Sequence, residues 1–184
     1  MLRKLVLACG LLSVSSLASA QWVGGVGYYN LSADIKGYDV SPYVYGFSLG
    51  YEYETIFPDL TIIPGASLYL DANDDVVNVT SPGPARVHVE NNFGMGVNLR
   101  FQWQGDSGLY FYVAPTLSRF DIEGSEPVFV NGQVIGKATL NEDNWLAGGG
   151  LGIGYRATDR ISVEFSFEEY GDTDLMGLAL RYGF

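Results

Sequence analysis

The sequence predicts an all-β protein: an eight-stranded antiparallel up-and-down transmembrane β-barrel behind an N-terminal signal peptide. Three observations predict it. Eight segments alternate large apolar residues with glycine, serine or charge, which is the period of a strand with two unlike faces. No stretch stays apolar over the roughly 20 residues that a spanning helix needs. The last segment, residues 176–184, reads Met-Gly-Leu-Ala-Leu-Arg-Tyr-Gly-Phe and ends the chain on an aromatic with no polar tail to blunt it. A strand of that kind needs a partner, and in lipid a sheet satisfies its backbone only by closing on itself.

The first 20 residues read as an export signal, with Arg3 and Lys4 ahead of a short apolar core and Ala18-Ser19-Ala20 as a small-x-small cleavage site, cut between Ala20 and Gln21. Val6-Leu7-Ala8-Cys9 loosely matches a lipid-attachment box, but cleavage there leaves only eight residues of signal. The expected organisation is therefore signal peptide 1–20 and barrel 21–184. The signal holds the sole cysteine, Cys9, and two of the ten basic residues but no acid, so the net charge of −11 becomes −13 once it is removed. An exported domain without cysteine has no disulfide framework. Its acidity argues against nucleic acid, which requires clustered Lys and Arg.

Segment one, residues 22–33, is ambiguous in phase. Segment two, 43–53, sets Gly46, Ser48, Gly50 and Glu52 opposite a row of aromatics. Segments three (60–71) and five (109–120) each contain a proline, Pro64 and Pro115, and a bulge or kink is expected at each. Segment four, 93–103, sets Phe93, Met95, Val97, Leu99, Phe101 and Trp103 against Gly94, Gly96, Asn98, Arg100 and Gln102. Segment six, 147–155, opposes Leu151, Ile153 and Tyr155 to four glycines. Segment seven, 161–168, alternates Ile161, Val163, Phe165 and Phe167 with Ser162, Glu164, Ser166 and Glu168. Segment eight is the terminal strand, expected to pair with segment one. The apolar faces are too aromatic and unbroken for a solvated sandwich. Turning them to lipid, with the small polar face filling a narrow interior, accounts for both.

Tight turns at 57–59, 104–107 and 157–160 alternate with longer connections at 35–42, 72–86 and 122–138 and a shorter one at 171–174. Barrels of this class keep short turns on the periplasmic side, which puts both termini there. Trp22, Phe57, Trp103, Tyr155, Tyr182 and Phe184 then form a turn-side aromatic girdle, and Tyr43, Tyr45, Phe120, Trp145 and Tyr170 a loop-side one.

Eight such segments, with Gly177 three residues before a terminal Leu180-x-Tyr182-x-Phe184, resemble the small eight-stranded outer-membrane β-barrel superfamily, whose members include the barrel domain of outer membrane protein A and the outer membrane protein X and Ail group. The resemblance covers the whole of 21–184. It implies the cell outer membrane of a Gram-negative envelope, surroundings of outer-membrane lipid and lipopolysaccharide, and assembly by the barrel-assembly machinery, which reads the terminal signal Gly177, Leu180, Tyr182 and Phe184. A peptidoglycan-binding part like that of outer membrane protein A is not expected after Phe184.

Glu52, Glu54, Glu90, Arg100, Arg156, Glu164, Glu168 and Arg181 fall on the inward phase and are expected to pair as an interior charge network. The resemblance to outer membrane protein A also allows them to be a gate. An eight-stranded interior is just wide enough for side chains, which argues against a wide, porin-like pore. His88, the single histidine, shares a face with Glu90, but no serine stands at a matching spacing for a nucleophile, base and acid set. No catalytic residue, metal site or cofactor is assigned. Asp71-Ala-Asn-Asp-Asp75 starts like a calcium loop but has Val76 where glycine belongs and lacks the closing glutamate. Asn78-Val79-Thr80 is a chance-level glycosylation pattern. The glycine runs at 24–27 and around Gly148 lie within strands and read as room for opposing interior side chains rather than as phosphate loops.

The functional expectation is a non-catalytic outer-membrane barrel with a structural or surface-interaction role, whose loops meet partner proteins, including an extracellular protein ligand, host surfaces or lipopolysaccharide. A hairpin around Asn131-Gly132, carrying Val128-Phe129-Val130, is expected to rise above the membrane and bind by strand addition. The alternatives are a lipid A-modifying enzyme using His88 and a narrow ion-conducting barrel.

Overall fold

The computed structural model describes the backbone of residues 22–35, 38–57, 59–73, 75–79, 85–130 and 133–184, and the side chains of 22–33, 41–57, 59–73, 93–121 and 144–184. The signal segment with Cys9, Ala20 and Gln21, residue Asp74, the side chains of Asp75, Asn78, His88 and Glu90, Thr80 and the Asn131-Gly132 pair lie outside these.

Among the described residues, eleven β segments make one sheet: β1 (Trp22–Ile35), β2 (Tyr38–Val40), β3 (Tyr43–Tyr51), β4 (Tyr53–Glu54), β5 (Leu60–Asn73), β6 (Asp75–Val79), β7 (Ala85–Gln104), β8 (Leu109–Val130), β9 (Gln133–Arg156), β10 (Ile161–Glu169) and β11 (Thr173–Gly183). Eight of them are the staves: β1, β3 with its continuation β4, β5, β7, β8, β9, β10 and β11. Each pairs antiparallel with the next along the chain, and β11 returns to β1 in a continuous register from Val23 opposite Gly183 to Ala33 opposite Thr173. The backbone of Phe184 adds a bond to the Trp22 carbonyl at 2.9 Å. The terminal strand has no free edge, because it closes the barrel.

Alternation fixes the two surfaces. Val26, Leu49, Val97, Leu99, Phe111, Val113, Leu151, Ile153, Val163, Phe165, Leu178 and Leu180 all point outward and stay about half exposed. A continuous apolar band of this kind belongs against lipid. The phase of β1 is now set: Val23 and Leu31 are buried inside, while Trp22, Val26 and Tyr28 are exposed outside.

Neither proline makes a bulge. Pro64 is opposite Leu99 and Pro115 opposite Gly149 in unbroken register. Instead, each drops two rows of one ladder without shifting it. Pairing resumes in phase between Gly50–Gly65 and Tyr53–Ile62, and between Asn98–Thr116 and Phe101–Val113. The missing proline N–H removes a rung, and intact pairing on the strand's other side holds the register. The irregularities fall elsewhere, at Tyr43/Val44, Asn91/Phe93 and Val128/Phe129.

Candidate functional site

Two regions concentrate polar and aromatic chemistry: the barrel lumen and the long-loop end. In the lumen, Arg100 on β7 reaches Glu164 on β10 at 2.9 Å, and Arg181 on β11 reaches the same carboxylate at 3.5 Å. Gln102 accepts a bond from Arg100 at 2.6 Å, and the Tyr110 hydroxyl donates to Glu164 at 3.1 Å. The Arg100 guanidinium also lies over the Tyr112 ring, 3.5 Å from its centroid. All these groups are buried. One carboxylate thus sits between two cations and a hydroxyl, which offsets the cost of taking three charges out of water.

Toward the long-loop end the lumen turns apolar. Leu31, Val44, Tyr69, Phe120, Tyr170 and Leu175 are almost fully buried, with Tyr29 packed against them. Tyr29 meets Tyr69 edge-on at 5.9 Å, Tyr69 meets Phe120 at 5.6 Å, and Phe120 meets Tyr170 at 5.6 Å. This row of rings is a plug. A polar chain runs through it, in which Ser118 donates to the Tyr170 hydroxyl at 3.1 Å and Tyr170 donates to Glu168. Between plug and ion pairs lies a cavity of about 50 Å³, lined by Ser48, Ser67, Asn98, Arg100, Glu164 and Glu168 among others. That is room for about four waters.

Glycines make space for the rings. A Cβ at Gly152 would come within 2.5 Å of the Tyr112 ring, one at Gly27 within 2.5 Å of Tyr29, one at Gly148 within 2.5 Å of Tyr170, and one at Gly94 within 2.8 Å of Phe120; Gly154 faces Tyr110 more closely still.

The structure thus brings Arg100, Glu164 and Arg181 together and places Glu168 above them. Arg156 and Glu52 stand 4.0 Å apart at the short-turn rim, both about one-third exposed. Glu54 is not an interior residue: β4 pairs with β5 alone, because the pairing of β1 starts at Trp22 opposite Tyr51, and Glu54 is exposed. Phe120 and Tyr170 are not girdle residues either, because their strand positions turn them inward to the plug. Tyr43, Tyr45 and Trp145 do face outward at that end. The interior tyrosines 29, 69, 110 and 112 were the residues that sequence reasoning missed. Their signal was a glycine at the paired position on the next strand. Of the terminal set, Leu180 and Tyr182 point outward, Gly177 turns inward against Tyr29, and the Phe184 ring meets Tyr182 at 5.4 Å.

At the long-loop end β7, β8 and β9 do not stop at the plug. β8 continues from Phe120 to Val130, roughly 30 Å further along the strand. It pairs with β9 row by row up to Val130 opposite Gln133. The connection 122–138 is thus strand on both sides, as the hairpin expected there requires. β6 pairs with β7 from Asp75–Val89 to Val79–Ala85, so the expected loop 72–86 is also largely strand. The result is a four-stranded sheet, β6-β7-β8-β9, projecting beyond the barrel. β10 ends at Glu169 opposite Gly149, so among the described residues no strand pairs with the second edge of β9 over 133–148.

The family model described as "Outer membrane protein beta-barrel domain" matches residues 5–180. No curated protein sequence matches the chain. Among solved structures, Neisserial surface protein A superposes with a TM-score of 0.59 at 12% identity, over 91% of this chain and 100% of that one. Ail, the attachment invasion locus protein of Yersinia pestis, gives a TM-score of 0.57 at 14% identity, over 90% of this chain and 98% of that one. The same Ail protein in complex with the heparin analogue sucrose octasulfate gives 0.54 at 12% identity, again over 90% and 98%. At such identities the likeness is one of fold.

Proposed function

Because this chain belongs to the outer membrane protein β-barrel domain family and resides in the cell outer membrane, we propose that it acts there as a non-catalytic surface protein, binding an extended segment of an extracellular protein along its projecting sheet. The observation that carries this reading is the open edge of β9 at 133–148, on a sheet standing clear of the barrel. A row of unpaired backbone donors and acceptors is a template for strand addition: the main chain supplies affinity and alternate side chains supply selectivity.

Charge narrows the partner. Between 121 and 143 five carboxylates (Asp121, Glu123, Glu126, Glu142, Asp143) stand against one base, Lys137, and the whole chain carries −11. A sulfated ligand such as the one held by Ail would be repelled, whereas a neutral or basic peptide would be drawn in.

The test removes the projection and spares the barrel. Replacing 125–139 with a two-residue Asn-Gly turn keeps Gly124 opposite Leu140. Whole cells carrying the native chain should bind an extended neutral or basic peptide, and cells carrying this variant should retain a heat-modifiable barrel but lose that binding. Exchanging Val128-Phe129-Val130 for polar residues should weaken the same binding. Equal binding by native and trimmed chains would sink the proposal.

A further inference from the structure

The turn between β4 and β5 differs from the other two short turns. Those read Gly105-Asp106-Ser107-Gly108 and Ala157-Thr158-Asp159-Arg160, polar at the tip. This one carries Tyr53, Ile56 and Phe57, which are 55%, 92% and 62% exposed. Ile56 is the most exposed large apolar residue among those described. The turn is built to present it. Thr55 Oγ1 accepts from the Phe57 amide at 3.1 Å and donates to the Leu60 carbonyl at 2.8 Å, and Leu60 N–H bonds the Phe57 carbonyl at 3.1 Å.

The apolar tip is continuous with the lipid-facing band. Trp22 stands opposite Tyr51 and meets it edge-on at 5.1 Å; Tyr51 meets Tyr53 at 4.6 Å. Two residues past Tyr51 is about 7 Å along a strand, and about 5 Å along the membrane normal for a tilt of 35–45°. The headgroup layer is itself roughly 5–7 Å deep on each side. With Trp22 and Tyr51 at the hydrocarbon boundary, Tyr53 lies among headgroups and the Ile56-Phe57 tip at their outer edge.

We infer that the 53–57 turn is a one-sided anchor in the phospholipid leaflet at the short-turn end, and that it makes the barrel lean toward its β3–β5 side so that Ile56 and Phe57 enter the headgroup layer. Interfacial anchors set the tilt of a spanning element, and here only one of the three short turns supplies them. The exposed carboxylates of Glu54 and Asp59 flank the tip, so its surface suits ammonium-bearing zwitterionic phospholipid.

The test places a nitroxide at Ile56→Cys or Phe57→Cys, with Asp106→Cys and Asp159→Cys as references, in the full chain carrying Cys9→Ser and folded into phosphatidylethanolamine–phosphatidylcholine vesicles. Heat-dependent gel mobility verifies each barrel. Labels at 56 and 57 should collide several-fold more often with oxygen than with a water-soluble nickel chelate, and labels at 106 and 159 should do the reverse. Labels at 56 and 57 as open to nickel as the one at 106 would overturn the inference, since the tip would then stand in water or await a protein cover. If Phe57→Cys fails to fold, Ile56→Cys decides alone, because Ile56 is 92% exposed and its loss cannot unpack the wall.

Discussion

Arg100 of β7 and Glu164 of β10 meet across the lumen at 2.9 Å, although their strands are not neighbours in the sheet. The contact crosses the lumen between staves three places apart instead of following the wall, and Arg181 joins it from β11 at 3.5 Å. The staves are thereby tied to one another through the interior as well as by their backbone ladders.

Glu164→Gln should destabilise the barrel by about 3–5 kcal/mol, because it strands two buried guanidinium groups without a counter-charge. The check is the urea midpoint of the vesicle-folded protein, followed by tryptophan fluorescence. Replacing Arg100, Glu164 and Arg181 together by apolar residues of similar volume should cost less than the single change. A triple variant weaker than Glu164→Gln would show that the pairing itself, rather than the stranded charge, dominates.

Gly152→Val should cost about 1–3 kcal/mol by overpacking, since its Cβ would come within 2.5 Å of the Tyr112 ring. In a Tyr112→Leu background the same change should be milder, and a double-mutant cycle in urea measures the coupling. Additive costs would mean that the ring yields and the two residues do not share one space.

The rings from Tyr29 to Tyr170 close the lumen above the ion pairs, so the native chain should give no single-channel steps in a planar bilayer. Phe120→Ala with Tyr170→Ala, which removes two consecutive rings of the plug, should admit a small leak. Regular steps from the native chain, altered by neutralising Arg100 or Glu164, would restore the reading of a narrow ion path.

Expression of the protein should leave the mass spectrum of lipid A unchanged, and His88→Ala should make no difference to it. A shift by one acyl chain, lost in His88→Ala, would make the protein a lipid-remodelling enzyme.

Period-two alternation made the staves legible, because only a strand separates Phe165 from Glu164 so regularly. The lumen was legible only in part. Arg100, Glu164 and Arg181 share the inward phase in the sequence, but which of them meet depends on how far the strands are staggered around the barrel, and alternation carries no record of that. The first strand hid its phase because Gly24 and Tyr28 on one face mirror Gly25 and Tyr29 on the other. Phe120 and Tyr170 were misplaced for a related reason: an aromatic near a strand end has the same composition whether it faces lipid or plugs the lumen. The deciding information sat on neighbouring strands, in Gly94 and Gly148, which leave room for those rings. The hairpin over 122–138 was legible from Val128-Phe129-Val130 and Asn131-Gly132, although the segment mixes acids, glycine and proline as a loop does. Its row-by-row pairing with β9 overrides that local character.

The way the barrel closes also bears on how it comes into being. Seven of its eight wall contacts join strands that follow one another along the chain, and only β1 with β11 joins the two ends, Val23 to Gly183. Hairpins between consecutive strands form in microseconds, and each needs only a short loop to be drawn shut. The last seam has to draw shut the whole intervening chain, though the entropy of doing so grows only by about 0.6 kcal/mol for each doubling of length. Every wall contact but that seam is therefore local in sequence. Until Leu180, Tyr182 and Phe184 find their places beside β1, the unfinished sheet carries two raw edges, each able to pair with another unfinished copy.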